Sequence, residues 1–278
     1  MPSGAFITIE GGDGAGKSTQ AALLADALEA RGHRVVRVHE PGGTALGERV
    51  RGVLLDAELG DVDATAELML YEAARAQLVS EVVAPALEDG AVVVCDRFAD
   101  SSIAYQGYGR GLGADVVRSL NAVATGGLCP DCTVLLDMPS EEGMDRAISR
   151  SGSADRMEAA GETFHRQVRD AFRELAATDG ARWRTVDARG TREEVAARVL
   201  MAVDDVLGGG AYGESGAAYD EYGADEQNGI SATSKGGAAG SGGAGESGAA
   251  YDEYGADEQN GISATSFGGA AGREGAAS

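Results

Sequence analysis

The sequence predicts an α/β fold with a parallel five-stranded sheet and helices on both of its faces. Five short stretches rich in valine, isoleucine and leucine alternate along the chain with longer stretches of helical periodicity. The short stretches are almost continuously apolar, which is typical of strands buried on both faces. Strands of this kind, separated by helices, form parallel doubly wound sheets. Such sheets bind ligands at the carboxyl ends of their strands, so the functional residues are expected in the loops that follow.

The elements follow from local patterns. Strands are predicted at residues 5–10, 34–39, 91–95, 133–137 and 183–187, where β-branched or apolar residues predominate. Helices are predicted at residues 17–31, 45–55, 63–87, 141–150, 161–178 and 191–207, and a further helix ends near residue 124. Gly32 closes the first helix, and Pro85 is expected to kink the third because it lacks an N–H. Residues 107–113 hold four glycines and are predicted to form a loop.

The composition divides the chain into two parts. Residues 1–207 are long enough for one α/β domain with a sizeable core. Residues 208–278 contain 20 glycines, 16 alanines and 8 serines, and no leucine, valine, methionine or tryptophan. This composition is typical of a disordered tail, since it offers too little apolar surface to offset the entropy of ordering. The tail is acidic and holds two copies of one repeat, at residues 214–240 and 246–272.

Charge and cysteine content exclude several classes of protein. The formal net charge is −22 and both parts are acidic, which argues against a general affinity for nucleic acids or anionic membranes. No apolar run approaches the roughly 18 residues of a membrane span, and the first residues do not resemble a signal peptide, so a cytoplasmic protein is expected. Cys129 and Cys132 form a C-x-x-C pair that lacks further ligands for zinc. A structural turn is expected there, and whether the two thiols form a disulfide stays open.

A phosphate-binding motif follows the first strand. Residues 11–18 match G-x-x-x-x-G-K-[ST] between a predicted strand and a predicted helix. The glycines allow backbone N–H groups to surround a phosphate at a helix N-terminus. Lys17 is expected to contact the β- and γ-phosphates of ATP, and Ser18 to ligate Mg²⁺. The residues expected to bind this cofactor pair are Gly11, Gly12, Asp13, Gly14, Ala15, Gly16, Lys17, Ser18 and Thr19.

The rest of the sequence narrows the class. It lacks the N-K-x-D motif of GTPases and the L-S-G-G-Q motif of transport ATPases, which leaves a compact phosphotransferase. Three stretches are informative: F-I-T-I-E-G at residues 6–11, E-P-G-G-T with G-E-R-V-R at residues 40–51, and D-R-F-A-D-S-S-I-A-Y-Q-G at residues 96–107. Together they closely resemble the thymidylate kinase family. The resemblance covers about residues 4–205 in the same order, and the tail has no counterpart.

This resemblance implies a P-loop kinase that converts dTMP to dTDP with Mg-ATP, works in dTTP synthesis for DNA replication and forms a homodimer. It implies that Arg97 reaches the dTMP phosphate, that Arg51 also binds that phosphate, and that Asp96 lies near Mg²⁺. A guanidinium suits phosphate better than an ammonium does because it can bind two oxygens at once. Asp13 matches a carboxylate that helps to position the acceptor.

The resemblance also implies a base pocket. Tyr71 and Arg75 lie four residues apart on one predicted helix, hence on one face. They match an aromatic ring that stacks on thymine and an arginine that bonds its O4. Ser102 and Gln106 match groups that bind the base edge. Tyr105 matches a residue that packs beside the deoxyribose and disfavours a 2′-hydroxyl.

The resemblance offers two possible sources of positive charge in the transition state. In part of the family an arginine inside the phosphate loop assists transfer, whereas Gly14 holds that position here. The other arrangement places arginines in a mobile segment after the fourth strand, where Arg146, Arg150 and Arg156 are found. Our hypothesis is that Arg150 closes over ATP with support from Arg146. The predicted catalytic residues are therefore Asp13, Lys17, Arg97 and Arg150.

Two other functions stay open at this point. One is a kinase for another pyrimidine nucleotide, which substrate preference would distinguish. The other is a protein that binds nucleotides, or partners through its tail, without catalysis. The presence of Lys17, Ser18, Asp96 and Arg97 argues against the latter.

The three histidines do not have the spacing of metal ligands, although His39 lies at a predicted strand end and could line the site.

Overall fold

The computed structural model describes residues 4–151 and 155–208, apart from the side chains of Ile148, Arg150 and Ser151. The predicted tail lies outside these residues except for Gly208, so the division into two domains stays a prediction. The strands are β1 (Ala5–Glu10), β2 (Val35–His39), β3 (Val92–Asp96), β4 (Cys132–Asp137) and β5 (Trp183–Asp187). The helices are α1 (Lys17–Ala30), α2 (Ala45–Leu55), α3 (Ala64–Leu78), α4 (Ala84–Glu88), α5 (Ala99–Ser102), α6 (Ala114–Thr125), α7 (Ser140–Ser151), α8 (Glu162–Thr178) and α9 (Arg192–Gly208).

The five strands form one parallel sheet in the order β2-β3-β1-β4-β5. The central strand, β1, is buried along its whole length, and its Ile7 pairs with Val94 of β3 and Cys132 of β4. This arrangement confirms the predicted fold class. Every predicted strand is present, with its ends within one residue of the expected position.

Helices cover both faces of the sheet, as predicted. On one face, Leu24 and Leu28 of α1 and Val199 of α9 pack with the β1 side chains Ile7 and Ile9. The core around α3, α6 and α8 instead contains buried residues of β4 and β5, with Phe172 and Trp183 among its largest side chains. None of the helices in the described ranges is long and apolar enough to cross a bilayer.

The long helix predicted at residues 63–87 is interrupted. A wider π-helical turn at Val79–Val83 separates α3 from α4, and Pro85 lies in the first turn of α4. Proline has no N–H to continue the regular hydrogen-bond ladder, so a change of helical form next to Pro85 is the expected response. The prediction of a helix over residues 63–87 is therefore confirmed, with a change of helical form beside Pro85.

A helical segment was missed at residues 99–109. Here α5 continues into a π-helical stretch, Ile103–Gly109, so that the predicted loop at 107–113 begins only after Gly109. Glycine disfavours helices, which hid this segment in the sequence. The structure explains one of these glycines by close packing, because a Cβ on Gly109 would lie 2.6 Å from Cε2 of Phe164. The helical form brings Ser102 and Gln106 to the same side of the segment.

Cys129 lies in the connection before β4 and Cys132 is the first residue of β4, and the two are thiols rather than a disulfide. The neighbouring Asp131 ties this connection to β1. Its N–H donates to the Phe6 carbonyl at 2.8 Å, and its carboxylate accepts the Phe6 N–H at 2.8 Å. The C-x-x-C therefore spans the end of a structural connection and the first residue of β4.

Replacing Gly109 by alanine tests the close packing against Phe164. We expect Gly109→Ala to lower the free energy of unfolding by about 1–3 kcal/mol, because the new methyl group overpacks a buried contact. Gly52→Ala is the matched control, since Gly52 is exposed on α2 and nothing lies within 4 Å of a Cβ there. It should be neutral or stabilising by up to about 1 kcal/mol. Urea unfolding measures both, and equal effects would refute the packing argument.

Candidate active site

The phosphate loop turns at its glycines. Gly11, Gly14 and Gly16 have φ angles of 142°, 73° and 93°, in the region that disfavours other residues. Gly16 precedes the first residue of α1, so the loop opens directly onto the N-terminus of that helix. The backbone therefore has the conformation that the motif predicts, with a helix N-terminus directed at any anion that the loop holds.

Lys17 lies over this loop. Its Nζ donates to the Gly12 carbonyl at 2.6 Å, and the residue is 7% exposed. Burial, and then the nearby Arg97 charge, lower its pKa to about 8 against the opposing effect of Asp13. A phosphate placed in the loop would restore the balance of charge around the ammonium group.

Ser18 and Asp96 meet between the first turn of α1 and the end of β3. The Ser18 hydroxyl donates to Oδ2 of Asp96. The other carboxylate oxygen, Oδ1, is buried and accepts no hydrogen bond from the described residues. Magnesium prefers oxygen ligands of this kind. The hydroxyl and the unpartnered carboxylate oxygen thus fit the predicted Mg²⁺ site.

Arg97 connects the loop to the opposite side of the cavity. It is the one non-glycine residue with a positive φ, 69°, in the described part of the chain. Its guanidinium donates to Asp13 Oδ1 at 2.5 Å, to the Gly11 carbonyl at 3.1 Å and to the Tyr105 hydroxyl at 3.1 Å. Burial would lower the pKa of Arg97, but Tyr105, Asp13 and further anionic groups raise it well above its usual range.

Asp13 is surrounded by donors. In addition to Arg97, the Tyr105 hydroxyl donates to Asp13 Oδ2 at 2.9 Å, and Nδ1 of His165 lies 3.5 Å from the same oxygen. Burial tends to raise the pKa of this carboxyl, but the charges of Arg97 and Lys17 outweigh it and hold the pKa below its usual value. Asp13 is thus ionised at neutral pH and holds Arg97 in place. The sequence assigned no role to His165, yet α8 places it beside the phosphate loop.

The predicted phosphate and stacking residues line the other side of the cavity. Arg51 on α2 donates from Nη1 to the Pro41 carbonyl at 2.8 Å. Tyr71 on α3 is half-buried, and burial together with the Glu67 charge raises its pKa. His39 at the end of β2 also lines the cavity, where its Nε2 lies 3.1 Å from Glu48.

Arg75 also lines the cavity, but it is 1% exposed and belongs to a buried network. Its acceptors are Glu40 Oε2 (2.9 Å from Nε), Glu72 Oε1 (2.9 Å), Asn121 Oδ1 (2.7 Å), Ser102 Oγ (3.0 Å) and the Phe98 carbonyl (3.3 Å). Burial raises the pKa of Glu40 to about 7 despite the neighbouring guanidinium. The network therefore fixes Arg75 before any base arrives, and its contact with thymine stays a prediction.

A second buried network lies beside the first. Glu67 on α3 is 0% exposed and accepts hydrogen bonds from Gln106, Arg110 and Arg156. Arg156 also donates to the Leu54 carbonyl at 2.9 Å. Arg156, one of the three arginines expected in the segment after β4, is therefore committed to contacts with α2 and α3.

The start of α7 contacts the phosphate loop. A Cβ on Gly14 would lie 1.8 Å from the Gly143 carbonyl, so position 14 has no room for a side chain. Arg146 is exposed, with Nη1 3.4 Å from the Ala188 carbonyl. The Arg150 side chain lies outside the described residues, so its catalytic role stays a prediction.

One cavity of about 530 Å³ brings the predicted residues together. Those that line it are Asp13, Gly14, Gly16, Lys17, Ser18, Thr19, Arg51, Tyr71, Arg75, Asp96, Arg97, Ser102, Tyr105 and Gln106. Asp155, Met157 and Glu158, from the segment after α7, complete its wall. Gly11, Gly12 and Ala15 belong to the loop without lining this cavity.

Several buried polar residues of the site were not predicted. They are Glu10, Glu67, Glu72, Asn121 and His165. Glu10 accepts the Phe98 N–H at 2.8 Å and the Ser101 hydroxyl at 2.6 Å, and burial, then the charge of Asp100, raises its pKa to about 7. Glu67 had a signal in the sequence, because it lies four residues before Tyr71 and therefore on the same helical face. The others depend on contacts between distant segments.

The fold and the cavity define a phosphate-loop phosphotransferase with a second polar site beside the loop. The sequence profile of the family described as Thymidylate kinase matches residues 9–199. Together with the relatives below, this match shows that the chain belongs to the thymidylate kinase family, whose members are nucleoside monophosphate kinases.

Two curated relatives illustrate the match. A thymidylate kinase of Gloeobacter violaceus is 51% identical over 203 residues, which are 73% of this chain and 95% of the relative. One of Deinococcus radiodurans is 50% identical over 205 residues, 74% of this chain and 98% of the relative. The crystal structure of thymidylate kinase from Ehrlichia chaffeensis is 33% identical with a TM-score of 0.60, and the match covers 73% of this chain and all of that one.

Proposed function

We propose that this chain transfers the γ-phosphoryl group of ATP to dTMP, giving dTDP and ADP, in dTTP synthesis in the cytoplasm. The observation that carries the proposal is the single cavity that joins the phosphate loop to Arg51, Tyr71, Arg97 and Gln106. Transfer requires both nucleotides in one enclosed space with their phosphates adjacent. The relatives named thymidylate kinase support dTMP as the acceptor.

The donor side follows from the loop. Its N–H groups and Lys17 bind the β- and γ-phosphates of ATP, and the N-terminus of α1 adds its dipole. Ser18 and Asp96 hold Mg²⁺, which when bound neutralises charge on the phosphate oxygens. Asp96 Oδ1 supports this assignment, because a buried carboxylate oxygen without a hydrogen-bond donor is costly unless a cation binds it.

On the acceptor side, Arg97 and Arg51 bind the dTMP phosphate and Tyr71 stacks on the base. Asp13 holds the Arg97 guanidinium at the boundary between the two nucleotide sites. Tyr105 is fixed by Asp13 and Arg97 through its hydroxyl, so its ring has a defined position for packing against the deoxyribose. Because two polyanions must approach one another, most of the catalytic benefit comes from these fixed cations.

Substrate preference tests the proposal. A coupled assay of ADP release with Mg-ATP on the full chain should show turnover with dTMP and much lower kcat/KM with dUMP, UMP and CMP. The ribonucleotides are disfavoured by Tyr105, and CMP also by its different base edge. Preference for another acceptor would identify a different pyrimidine nucleotide kinase. A folded chain that binds ATP without turnover would favour the non-catalytic alternative.

We further propose that Arg150 supplies charge in the transition state. The packing of Gly14 against Gly143 supports this, since the loop itself leaves no space for an arginine. Arg150→Ala should lower kcat by about 100-fold or more with little change in dTMP affinity. Arg146→Ala is the comparison variant, and we expect a smaller effect from it. An unchanged kcat in Arg150→Ala would remove Arg150 from the mechanism.

We also infer a homodimer. Apolar side chains are exposed on three helices that pack together, namely Val53 of α2, Met69 of α3 and Val123 of α6, and Val123 is 81% exposed. A second copy that covered them would bury this apolar surface. Light scattering should give about twice the 28.2 kDa chain mass. Val123→Asp should shift the mass toward one chain, whereas Met201→Asp on the exposed face of α9 should not.

A further inference from the structure

Glu67 is a buried anion at the junction of three elements. Its Oε1 accepts from Gln106 Nε2 at 2.9 Å and from Arg110 Nε at 3.2 Å. Its Oε2 accepts from Arg110 Nη2 at 3.1 Å and from Arg156 Nη1 at 2.6 Å. Burial disfavours the charged form, but these donors outweigh it and hold the pKa below the usual value. Glu67 is therefore a carboxylate at neutral pH, with both oxygens engaged.

A carboxylate can only accept hydrogen bonds, so it decides which end of the Gln106 amide faces it. The amide nitrogen is a donor and the amide oxygen an acceptor, and the two ends are nearly equal in shape. The opposite orientation would place the Gln106 oxygen against the Glu67 carboxylate, with two acceptors in contact in a buried site. Gln106 is buried and lines the cavity, so its orientation determines what a ligand meets there.

We propose that Glu67 is a positioning residue that fixes the Gln106 amide and thereby determines which base edge the acceptor site takes. With Nε2 held by Glu67, Oε1 accepts the ring N–H of an imide, and the second hydrogen of Nε2 is available to an adjacent carbonyl. Thymine and uracil present this pattern. The inference rests on the proposed function, in which the acceptor base lies against Gln106.

Cytosine presents the reverse pattern on the same edge. Its ring nitrogen is an acceptor and its exocyclic group a donor, so both of its contacts with the fixed amide are mismatched. A flipped Gln106 amide, with its nitrogen and oxygen exchanged, would match cytosine instead. Glu67 prevents this flip because it cannot donate, whereas a glutamine at position 67 could donate or accept and would allow both orientations.

The test compares dTMP with 5-methyl-dCMP, which differ only in this edge of the base. We expect the full chain to prefer dTMP strongly in kcat/KM and Kd. In Glu67→Gln the preference should fall at least about tenfold, the equivalent of one hydrogen bond left unmade. Glu67→Asp, which still only accepts, should keep the preference even if rates fall. Glu81→Gln, the control variant, removes an exposed carboxylate beyond α3 and should change neither the preference for dTMP nor the rates.

The ratio of the two kcat/KM values distinguishes positioning from structural damage, because general damage lowers kcat/KM for both substrates in proportion. If the Glu67→Gln variant does not fold, the double variant Glu67→Gln with Arg110→Gln takes its place in the comparison, because it keeps the local net charge. Calorimetry gives the Kd ratio without turnover, so a chain inactive on dTMP would refute the proposed function while Glu67 is still tested. An unchanged Kd ratio in the glutamine variant, or a full chain without preference for dTMP over 5-methyl-dCMP, would overturn the role of Glu67.

Discussion

The ion pair of Arg97 with Asp13 is the interaction on which the site depends. Asp13 belongs to the loop after β1 and Arg97 follows β3, so the pair joins the ends of two neighbouring strands. Arg97 adopts a left-handed backbone that costs about 1–3 kcal/mol in a non-glycine residue. Its side chain offsets that cost with hydrogen bonds to Gly11, Asp13 and Tyr105. The guanidinium is thus held beside the phosphate loop, in the wall of the cavity, before any ligand binds.

Buried carboxylates also fix other arginines beneath the cavity. A site for two polyanions needs several cations, and cations that repel one another must be held apart by fixed anions. Glu40 and Glu72 hold Arg75, and Glu67 holds Arg110 and Arg156. Glu67 is fully buried and is shared by two arginines, so removing it would leave buried positive charge uncompensated. The cavity is therefore not a simple patch of positive charge, because carboxylates such as Asp13, Glu40 and Asp96 line it together with Lys17, Arg51, Arg75 and Arg97.

Most of the fold could be predicted because its signals are local. An apolar run, a glycine at a turn or a proline in a helix acts through neighbouring residues, and each strand was placed within one residue. The helical segment at 99–109 was missed because Gly109 is explained by packing against the distant Phe164 rather than by local preference. The predicted residues that line the cavity could be found because they belong to sequence motifs. Their buried partners were not, since Asn121 of α6 meets Arg75 of α3 only after the two helices have packed together.

The contact of Gly14 with Gly143 limits how this site can stabilise the transferring phosphoryl group. A side chain at position 14 would overlap the α7 backbone, so the loop contributes N–H groups and Lys17 but no guanidinium of its own. Arg97 is held by Asp13 on the acceptor side, and Arg156 is held by Glu67. Under the proposed function, additional positive charge over the γ-phosphate therefore comes from Arg150 on α7, the helix whose first turn packs against the phosphate loop.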